Sequence, residues 1–330
     1  MEVEPFSLPL CRPLGTARGE ITEREGFLVR VAHAGETAVG EATPLPGWTE
    51  SLTACREALE SVDDPASALE GLDGTPAARH AVESALLTCE ARAAGVSLAA
   101  YLADDRPVEA VPVNATVGDD DPRATARAAR AAVEEGFPAV KVKVGARPPA
   151  ADRERLEAVR AACPDVELRA DANGAWDRGT ARELLSVAAD LGLSYVEQPL
   201  AASDLAGHAD LRGRGVDVAL DESLTTHSVR EVLAAEAADR LVLKPMALGG
   251  PAAAREAAMR ADEQRVGTVV TTTIDGAYAR TVAVHLAASL PGVVPSGLAT
   301  ASMLAADLRT PDPVPVVDGV IRLPPSENPS

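Results

Sequence analysis

The sequence predicts a (β/α)8-type barrel, a modified TIM barrel, preceded by an α+β domain. From Val108 onward, short apolar strands alternate with helical stretches rich in Ala and Arg. This pattern gives eight strand-then-helix units in about 200 residues, as a parallel barrel requires. Residues 1–106 instead show a hairpin pattern followed by helices. We therefore predict an α+β domain at 1–106, a barrel at 107–310 and a Pro-rich tail at 311–330.

The composition is that of a globular enzyme with a core of small aliphatic residues. Hydrophobic residues make up 46% of the 330 residues, but aromatic residues only 2%, so Ala, Val and Leu must fill the core. No apolar run is long enough to cross a membrane. The four cysteines are far apart and have no zinc-site spacing, which predicts a reduced, cytoplasmic protein.

The net charge of −19 restricts the partners of the chain. A strongly acidic protein repels nucleic acid and anionic membranes, so neither is an expected partner. Abundant Asp with almost no Lys predicts an acidic protein adapted to a salty cytoplasm. An anionic substrate would then need a local positive site.

Three patterns predict the elements of the N-terminal domain. Residues 26–31 and 36–41 read as a hairpin with its turn at Ala34-Gly35. Helices are predicted at 51–61 and 76–94, the second ending at Gly95. Residues 12–24 contain two glycines and no apolar period, which predicts a mobile loop that closes over the substrate.

The barrel and the tail follow from the strand and helix patterns. The predicted strands are 110–117, 139–144, 166–171, 195–197, 216–221, 240–244, 267–272 and 292–294. Predicted helices between them include 121–135, 178–191 and 250–263. Residues 316–322 read as a short hairpin that returns to the N-terminal domain and completes it.

Lysine is rare in this chain, which makes its positions informative. The sequence holds 31 Lys plus Arg, and only Lys141, Lys143 and Lys244 are lysines. A buried or crowded lysine can lose its proton and act as a base, whereas arginine stays charged. Alternation with valine predicts a strand on which Lys141 and Lys143 share one face. The alternative is a solvated sheet edge, but a chain that otherwise uses arginine would place arginine there.

Three acidic residues close three successive predicted strands. Asp171, Glu197 and Asp221 are 26 and 24 residues apart, about one strand-loop-helix unit each. Successive strand ends lie side by side at the barrel rim, so these carboxylates should converge. Two anions ~4 Å apart repel by about 4 kcal/mol at an effective dielectric constant of 20, and a divalent cation removes that cost. Oxygen ligands favour Mg²⁺ or Mn²⁺ over zinc. A helix N-cap role would explain one such residue but fits three poorly.

Five motifs in order resemble those of a known family. They are Val-Lys-Val-Lys-Val-Gly at 140–145, Arg-Ala-Asp-Ala-Asn-Gly-Ala-Trp at 169–176, Val-Glu-Gln-Pro-Leu at 196–200, Leu-Asp-Glu-Ser at 220–223 and Leu-Lys-Pro at 243–245. Together they resemble the enolase superfamily, specifically its muconate-lactonizing-enzyme subgroup. The resemblance covers nearly the whole chain, because residues 1–106 look like the family's capping domain.

The resemblance implies roles for eight residues of this chain. The implied metal ligands are Asp171, Glu197 and Asp221, the implied catalytic residues on opposite faces of the substrate are Lys143 and Lys244, and the implied substrate-binding residues are Lys141, Ser296 and Gly297. None of the five histidines ends a predicted barrel strand, which disfavours the subgroup with a histidine base. The implied partner is a small-molecule carboxylate, and a homo-oligomer is compatible with the sequence.

The implied chemistry is removal by lysine of a proton α to a carboxylate. A bound Mg²⁺ stabilises the enediolate that forms, because its charge meets charge that develops during the reaction. A lysine crowded by the metal and a second ammonium has a physical reason to be neutral and act as the base.

Residues 40–48 together with Lys-Val-Lys-Val-Gly most resemble the o-succinylbenzoate synthase family of menaquinone biosynthesis. This implies a carbon-oxygen lyase that dehydrates 2-succinyl-6-hydroxy-2,4-cyclohexadiene-1-carboxylate. N-succinylamino acid racemase and muconate cycloisomerase-like activities stay open. Residues 294–300 contain no acid, which argues against the cationic substrates of dipeptide epimerases. A non-catalytic binding relative would have lost a ligand or a lysine, and none is lost.

Overall fold

A computed structural model describes residues 1–16 and 19–323 of the chain. The chain begins with an antiparallel sheet in the order β1-β2-β3. Its strands are β1 (Glu2–Thr16), β2 (Gly19–His33) and β3 (Glu36–Ala42). The predicted hairpin is confirmed, because β2 and β3 pair antiparallel up to His33 and Glu36. Ala34 and Gly35 make its turn with φ angles of 54° and 82°.

The predicted loop at residues 12–24 is wrong, because most of this stretch lies in two paired strands. β1 pairs with β2 from Glu2 to Thr16, with a register shift between Pro9 and Leu14. Residues 17 and 18 lie outside the described residues, and with them part of the segment predicted to close over the substrate. At the other end of the stretch Arg24 is buried. Its guanidinium donates to the carbonyl oxygen of Thr43 at 2.9 Å, which fixes the hairpin to the next segment.

Four helices follow the first sheet. They are α1 (Leu52–Glu60), α2 (Pro65–Ala68), α3 (Pro76–Ala93) and α4 (Leu98–Leu102). The predictions at 51–61 and 76–94 are confirmed to within one residue at each end. Ser51 is the N-cap of α1, since its Oγ accepts a hydrogen bond from the Ala54 N–H. Helix α3 covers the sheet and shares an apolar core with it, which includes Phe27 and Val82.

Seven parallel strands form the second sheet. The predicted strand at 110–117 is two strands in different sheets, β4 (Ala110–Pro112) and β5 (Asn114–Val117). The other strands are β6 (Ala139–Lys143), β7 (Glu167–Asp171), β8 (Tyr195–Glu197), β9 (Asp217–Leu220), β10 (Arg240–Leu243) and β11 (Gly267–Val270). These six confirm the predicted strands to within two residues at each end. Their order, β11-β10-β9-β8-β7-β6-β5, follows the chain, as in a (β/α) barrel.

The predicted eighth strand at 292–294 is wrong, and a short segment slightly later closes the sheet instead. The Asn114 N–H donates to the carbonyl oxygen of Ser296 at 3.0 Å. The Gly297 N–H donates to the carbonyl oxygen of Val270 at 2.9 Å. One segment therefore hydrogen-bonds to both edges of the sheet, and two residues take the place of a regular strand.

Helices surround the parallel sheet. They are α5 (Pro122–Glu134), α6 (Pro149–Ala162), α7 (Arg178–Asp190), α8 (Leu205–Leu211), α9 (Val229–Ala234), α10 (Pro245–Leu248), α11 (Pro251–Glu263) and α12 (Ala277–Ser289). On β6, Val140 and Val142 pack into the core shared with these helices. Because side chains alternate along a strand, Lys141 and Lys143 point to the barrel interior. Among the described residues, no helix is both long and apolar enough to span a bilayer.

The C-terminal tail joins the barrel rather than the N-terminal sheet. Its hairpin is formed by β12 (Val316–Val317) and β13 (Val320–Arg322). The hairpin pattern at 316–322 is confirmed, but β13 pairs with β4, which belongs to the segment assigned to the barrel. Gly319 also packs on the backbone of Gly136, just after α5. The prediction that this hairpin completes the capping domain is therefore corrected.

Glu41, at the end of β3, joins the N-terminal domain to the barrel rim. Its buried carboxylate accepts hydrogen bonds from the Gly276 N–H at 2.6 Å and the Ala279 N–H at 2.9 Å. These are unpaired donors at the N-terminus of α12, where the helix dipole also favours a negative charge. The contact fixes the segment after β3, which carries Trp48, above the carboxyl ends of the strands.

We expect Gly40→Ala to destabilise the N-terminal domain. A Cβ at this position would lie 1.8 Å from the carbonyl oxygen of Ala81 in α3, so the sheet and the helix would have to separate. Overpacking of this kind costs about 1–3 kcal/mol. Urea denaturation would measure the loss. Gly71→Ala is the control, because a Cβ there meets nothing within 4 Å, and an equal loss in both variants would contradict the prediction.

Candidate active site

The carboxyl ends of neighbouring barrel strands bring the predicted acidic and basic residues into one row. Strand register places Lys143 beside Asp171 and Asp171 beside Glu197. Asp221 directly follows β9, and Lys244 directly follows β10. The three carboxylates therefore occupy the three strand ends between the two lysines predicted to be catalytic.

Lys141 is largely buried and pairs with two carboxylates. Its Nζ donates to Glu197 Oε1 at 2.9 Å and Oε2 at 2.8 Å, and lies 3.2 Å from Asp171 Oδ2. Burial opposes its charge, but the attraction of Glu197 and Asp171 is stronger and raises the pKa of Lys141 well above its usual value. Lys141 is therefore positively charged in this arrangement, and its side chain contacts Glu197 and Asp171.

Lys143 is more accessible, with 37% of its side chain exposed. Its Nζ donates to Asp171 Oδ2 at 2.6 Å and to Asn173 Oδ1 at 3.0 Å. Asn173 has a φ of 45°, and its N–H donates to Asp171 Oδ1, so it turns back toward the row. Its amide also donates to Glu222 Oε1 at 2.9 Å. Asn173 and Glu222 are thus neighbours of Asp171 that bind one another.

Lys244 is covered by the N-terminal domain. Its Nζ donates to Asp221 Oδ2 at 2.6 Å. The ring centroid of Trp48 lies only 3.2 Å from the same nitrogen, a cation–π contact. A small cavity that opens to solvent adjoins them, and it is lined mainly by apolar groups that include Leu224 and Leu248. The capping domain therefore supplies an aromatic wall beside Lys244.

The electrostatics of the row follow from burial and from the lysines. Burial, reinforced by Asp171, raises the pKa of the Glu197 carboxyl to about 8. Burial opposes ionisation of Asp171 too, but Lys141 and Lys143 outweigh it and lower the pKa of that carboxyl. Asp171 is thus held as an anion by Lys141 and Lys143, whereas burial disfavours ionisation of Glu197.

The donor set suits a divalent cation, although the side chains do not surround one as they stand. Asp171, Glu197 and Asp221 are all buried, and Asp221 Oδ1 has no hydrogen-bond partner. Carboxylate oxygens of this kind are the ligands that Mg²⁺ prefers. Within residues 1–16 and 19–323, no group of three or more His, Cys, Asp or Glu side chains is arranged to hold a metal. Lys141 and Lys143 bind the carboxylates instead, so metal binding would have to replace these ion pairs.

The structure does not bring Ser296 together with the lysines. Its side chain lines a cavity with Thr268 and Val270, on the face of β11 that packs toward the helices. Its Oγ donates to the carbonyl oxygen of Val294. Gly297 lies beside Thr271, where a Cβ would approach Thr271 Oγ1 to 2.4 Å, so close packing at the closure requires glycine. Ser296 and Gly297 therefore belong to the segment that closes the barrel.

Sequence reasoning did not identify Gln198, which supports Asp221, although the motif Val-Glu-Gln-Pro-Leu that contains it was recognised. Gln198, directly after Glu197, has a φ of 41° and is fully buried. Its Oε1 accepts from the Asp221 N–H at 3.0 Å and from the Ser223 N–H at 3.1 Å. Its amide donates to Ser223 Oγ and lies 3.5 Å from His208 Nε2. Gln198 thus fixes the start of the loop that carries Asp221.

Comparison with known proteins decides the family. Residues 124–327 match the family model described as enolase C-terminal domain-like. The chain belongs to the enolase superfamily. Members of this superfamily are enzymes that bind small-molecule substrates and use Mg²⁺ in catalysis. The resemblance stated from the five motifs is therefore confirmed.

Individual relatives have different activities. The chain is 40% identical over 230 residues to the o-succinylbenzoate synthase of Thermobifida fusca, covering 68% of this chain and 70% of that one. It is 30% identical to the N-succinylamino acid racemase of Thermus thermophilus, covering 98% and 91%. The structure of a substrate-liganded L-Ala-D/L-Glu epimerase from Bacillus subtilis matches with a TM-score of 0.88 at 27% identity, covering 98% and 95%. The superfamily is thus settled, while the reaction is left open.

We expect the buried imidazole of His208 to make the enzyme less stable in acid. Burial lowers the pKa of His208 from 6.5 to about 4, because the buried imidazole loses the water that would solvate its charged form. The unfolded chain then binds more protons between pH 6.5 and 4, so the free energy of unfolding falls as the pH falls through that window. The loss from this residue is at most about 3 kcal/mol.

Urea denaturation at several pH values would test this with His208→Gln and with His33→Gln as a partly exposed control. The first variant should show a smaller loss between pH 6.5 and 4. Part of the loss should remain, because burial also lowers the pKa of His285 to about 4. An unchanged pH dependence in His208→Gln would contradict the assignment.

Proposed function

We propose that this enzyme is an o-succinylbenzoate synthase of menaquinone biosynthesis. It would dehydrate 2-succinyl-6-hydroxy-2,4-cyclohexadiene-1-carboxylate to 2-succinylbenzoate. The observation that carries this proposal is the row of three buried carboxylates with a lysine at each end, on a chain 40% identical to the Thermobifida fusca enzyme. A site of this kind can remove a proton α to a carboxylate and compensate the charge that develops.

The roles of the two lysines differ in this proposal. Lys143, the more exposed, takes the proton from the carbon next to the carboxylate in its neutral amine form. Lys244 contributes positive charge, since the indole face of Trp48 and the carboxylate of Asp221 both favour a cation there. The electron pair of the broken C–H bond forms the new ring double bond. The hydroxyl group leaves as water with the proton that Lys143 has taken, which restores the neutral amine, and the ring becomes aromatic.

Asp171, Glu197 and Asp221 would hold Mg²⁺, with Mn²⁺ as a second candidate. The bound cation would supply positive charge to the substrate carboxylate as the enediolate forms. Lys141 adds a fixed ammonium beside Glu197 and Asp171. This charge compensates the carboxylates of Glu197 and Asp171, and it would also favour binding of the substrate carboxylate.

The surroundings of Lys244 favour a substrate with an apolar or ring portion. The adjoining cavity is bounded by Trp48, Leu224 and Leu248, and among the described residues no acidic side chain lines it. A substrate ammonium group would lie there beside the ammonium of Lys244, which repels it. The lining therefore supports the cyclohexadiene acid over a dipeptide, the class of substrate that an epimerase requires.

The second candidate is an N-succinylamino acid racemase. It is favoured by the match to the Thermus thermophilus racemase, which covers 98% of this chain. Racemisation needs both Lys143 and Lys244 to exchange protons with the substrate, so it uses the same row of residues. A muconate cycloisomerase-like reaction is a third alternative that no contact in the site favours.

We expect Lys143→Arg to abolish the chemical step while the fold is retained. Arginine keeps the positive charge beside Asp171 but supplies no base at neutral pH. A general base contributes about 10²–10⁴-fold, so kcat for dehydration should fall at least that far. Lys244→Arg should cost much less in a dehydration, where charge suffices, but as much in a racemisation. Circular dichroism of each variant would verify the fold.

Assay of the wild type on the cyclohexadiene acid and on an N-succinylamino acid separates the two candidates. Dehydration as the main activity, with a severe loss only in Lys143→Arg, would support the synthase. Racemisation as the main activity, lost equally in both variants, would overturn it in favour of the racemase. Exchange of the α proton with solvent that survives Lys143→Ala and vanishes in Lys244→Ala would reverse the two roles.

We expect Asp221→Asn to weaken Mg²⁺ binding by at least about 10²-fold, because even residues behind the metal ligands contribute 10–100-fold. Isothermal titration with Mg²⁺ measures this directly. Asp217→Asn is the matched control, since Asp217 lies at the opposite end of β9 and pairs with Arg240. Equal Mg²⁺ affinity in the wild type and Asp221→Asn would remove Asp221 from the ligand set.

A further inference from the structure

Two charged residues of α6 are wholly buried directly behind the strand that carries Lys143. Both Asp152 and Arg155 have 0% exposed side chains. Arg155 Nη1 lies 3.0 Å from Asp152 Oδ1, and its Nε donates to Thr125 Oγ1 at 3.2 Å. Buried charges persist only when they are paired and hydrogen-bonded. The remaining contacts of this pair show which part of the chain they hold.

Those contacts end on the backbone around Lys143. Arg155 Nη1 donates to the carbonyl oxygen of Lys143 at 2.7 Å. Asp152 Oδ2 accepts from the Gly145 N–H, also at 2.7 Å. The pair therefore holds the chain on both sides of Val144, just where β6 ends and the loop over the site begins.

The same guanidinium joins this segment to its neighbours. Arg155 Nη2 donates to the carbonyl oxygen of Gly118, which directly follows β5, at 2.7 Å. On the other side, Gly145 packs against the loop after β7, where a Cβ would lie 2.9 Å from the carbonyl oxygen of Ala172. The Lys143 backbone is thus fixed relative to β5 and to the segment that follows Asp171.

We propose that Asp152 and Arg155 are positioning residues for Lys143 and set its distance from the substrate proton. This inference rests on the proposed function, in which Lys143 is the base. Lysine has a long, flexible side chain, so the position of its amine depends on a fixed backbone and on its end contacts with Asp171 and Asn173. Asp152 and Arg155 touch neither of these side chains and act through the main chain.

The helix itself provides a matched control. Arg160, five residues after Arg155, also binds carbonyl oxygens, among them those of Val166 at 2.9 Å and Leu191 at 2.8 Å. Val166 lies just before β7 and Leu191 at the end of α7, both at the end of the barrel opposite the site. Arg155→Met and Arg160→Met thus remove similar hydrogen bonds from one helix toward opposite ends of the barrel.

Steady-state kinetics of dehydration by the full-length Mg²⁺-loaded enzyme test the proposal. A catalytic group displaced by about 1 Å can cost 10²-fold, so kcat of Arg155→Met should fall about that far while KM changes little. Arg160→Met should keep kcat within about twofold of the wild type, although it too loses stability. With substrate deuterated α to the carboxylate, the isotope effect on kcat of Arg155→Met should equal or exceed the wild-type value.

Arg155→Lys decides the question if Arg155→Met does not fold, since it keeps the charge beside Asp152 and should lose part of kcat. Unchanged kcat in the folded Arg155 variants, an equal loss in Arg160→Met, or an isotope effect below the wild-type value would overturn the positioning role. Failure of the proposed function is a separate outcome, because the wild type would then racemise an N-succinylamino acid as its main activity, or dehydration would survive Lys143→Ala.

Discussion

Buried negative charge at the rim of the barrel is the constraint on which the site depends. Asp171, Glu197 and Asp221 lie side by side with almost no contact to water, and carboxylates this close repel one another. Each has a lysine ammonium within 3 Å. The lysines that offset this repulsion are also the groups that can bind a carboxylate substrate and move its proton. Stability of the rim and chemistry at the rim therefore come from the same ion pairs.

The rest of the structure serves to keep these few side chains in place. Gln198 holds the backbone of Asp221 from the loop after β8, and Arg155 holds that of Lys143 from the helix layer. Glu41 caps α12 and so fixes the N-terminal domain on the rim, where Trp48 covers Lys244. The barrel thus supplies the charged groups, and the capping domain supplies an apolar wall that shields Lys244.

Strong local patterns explain which predictions succeeded. The strand Tyr195–Glu197 was predicted at its observed bounds because Tyr195 and Val196 are followed by an acid and the three residues are flanked by turn residues. The closing segment at Ser296 and Gly297 was missed since it makes only a few ladder hydrogen bonds and carries no alternating pattern of its own. Strand β1 and the first half of β2 were missed because their side chains are largely exposed. Without a buried face, their residues show little alternation of apolar and polar types.

By itself the sequence determined the family, the barrel, and which acids and lysines would share its rim. It could do so because parallel strand order follows chain order, and strand-end residues therefore meet. Tertiary structure alone decided that Lys141 pairs with Glu197, that Trp48 lies on Lys244, and that Ser296 faces the helices. These contacts join residues that are far apart in the chain. They depend on how the two domains dock and how the barrel closes, and no local sequence pattern predicts either.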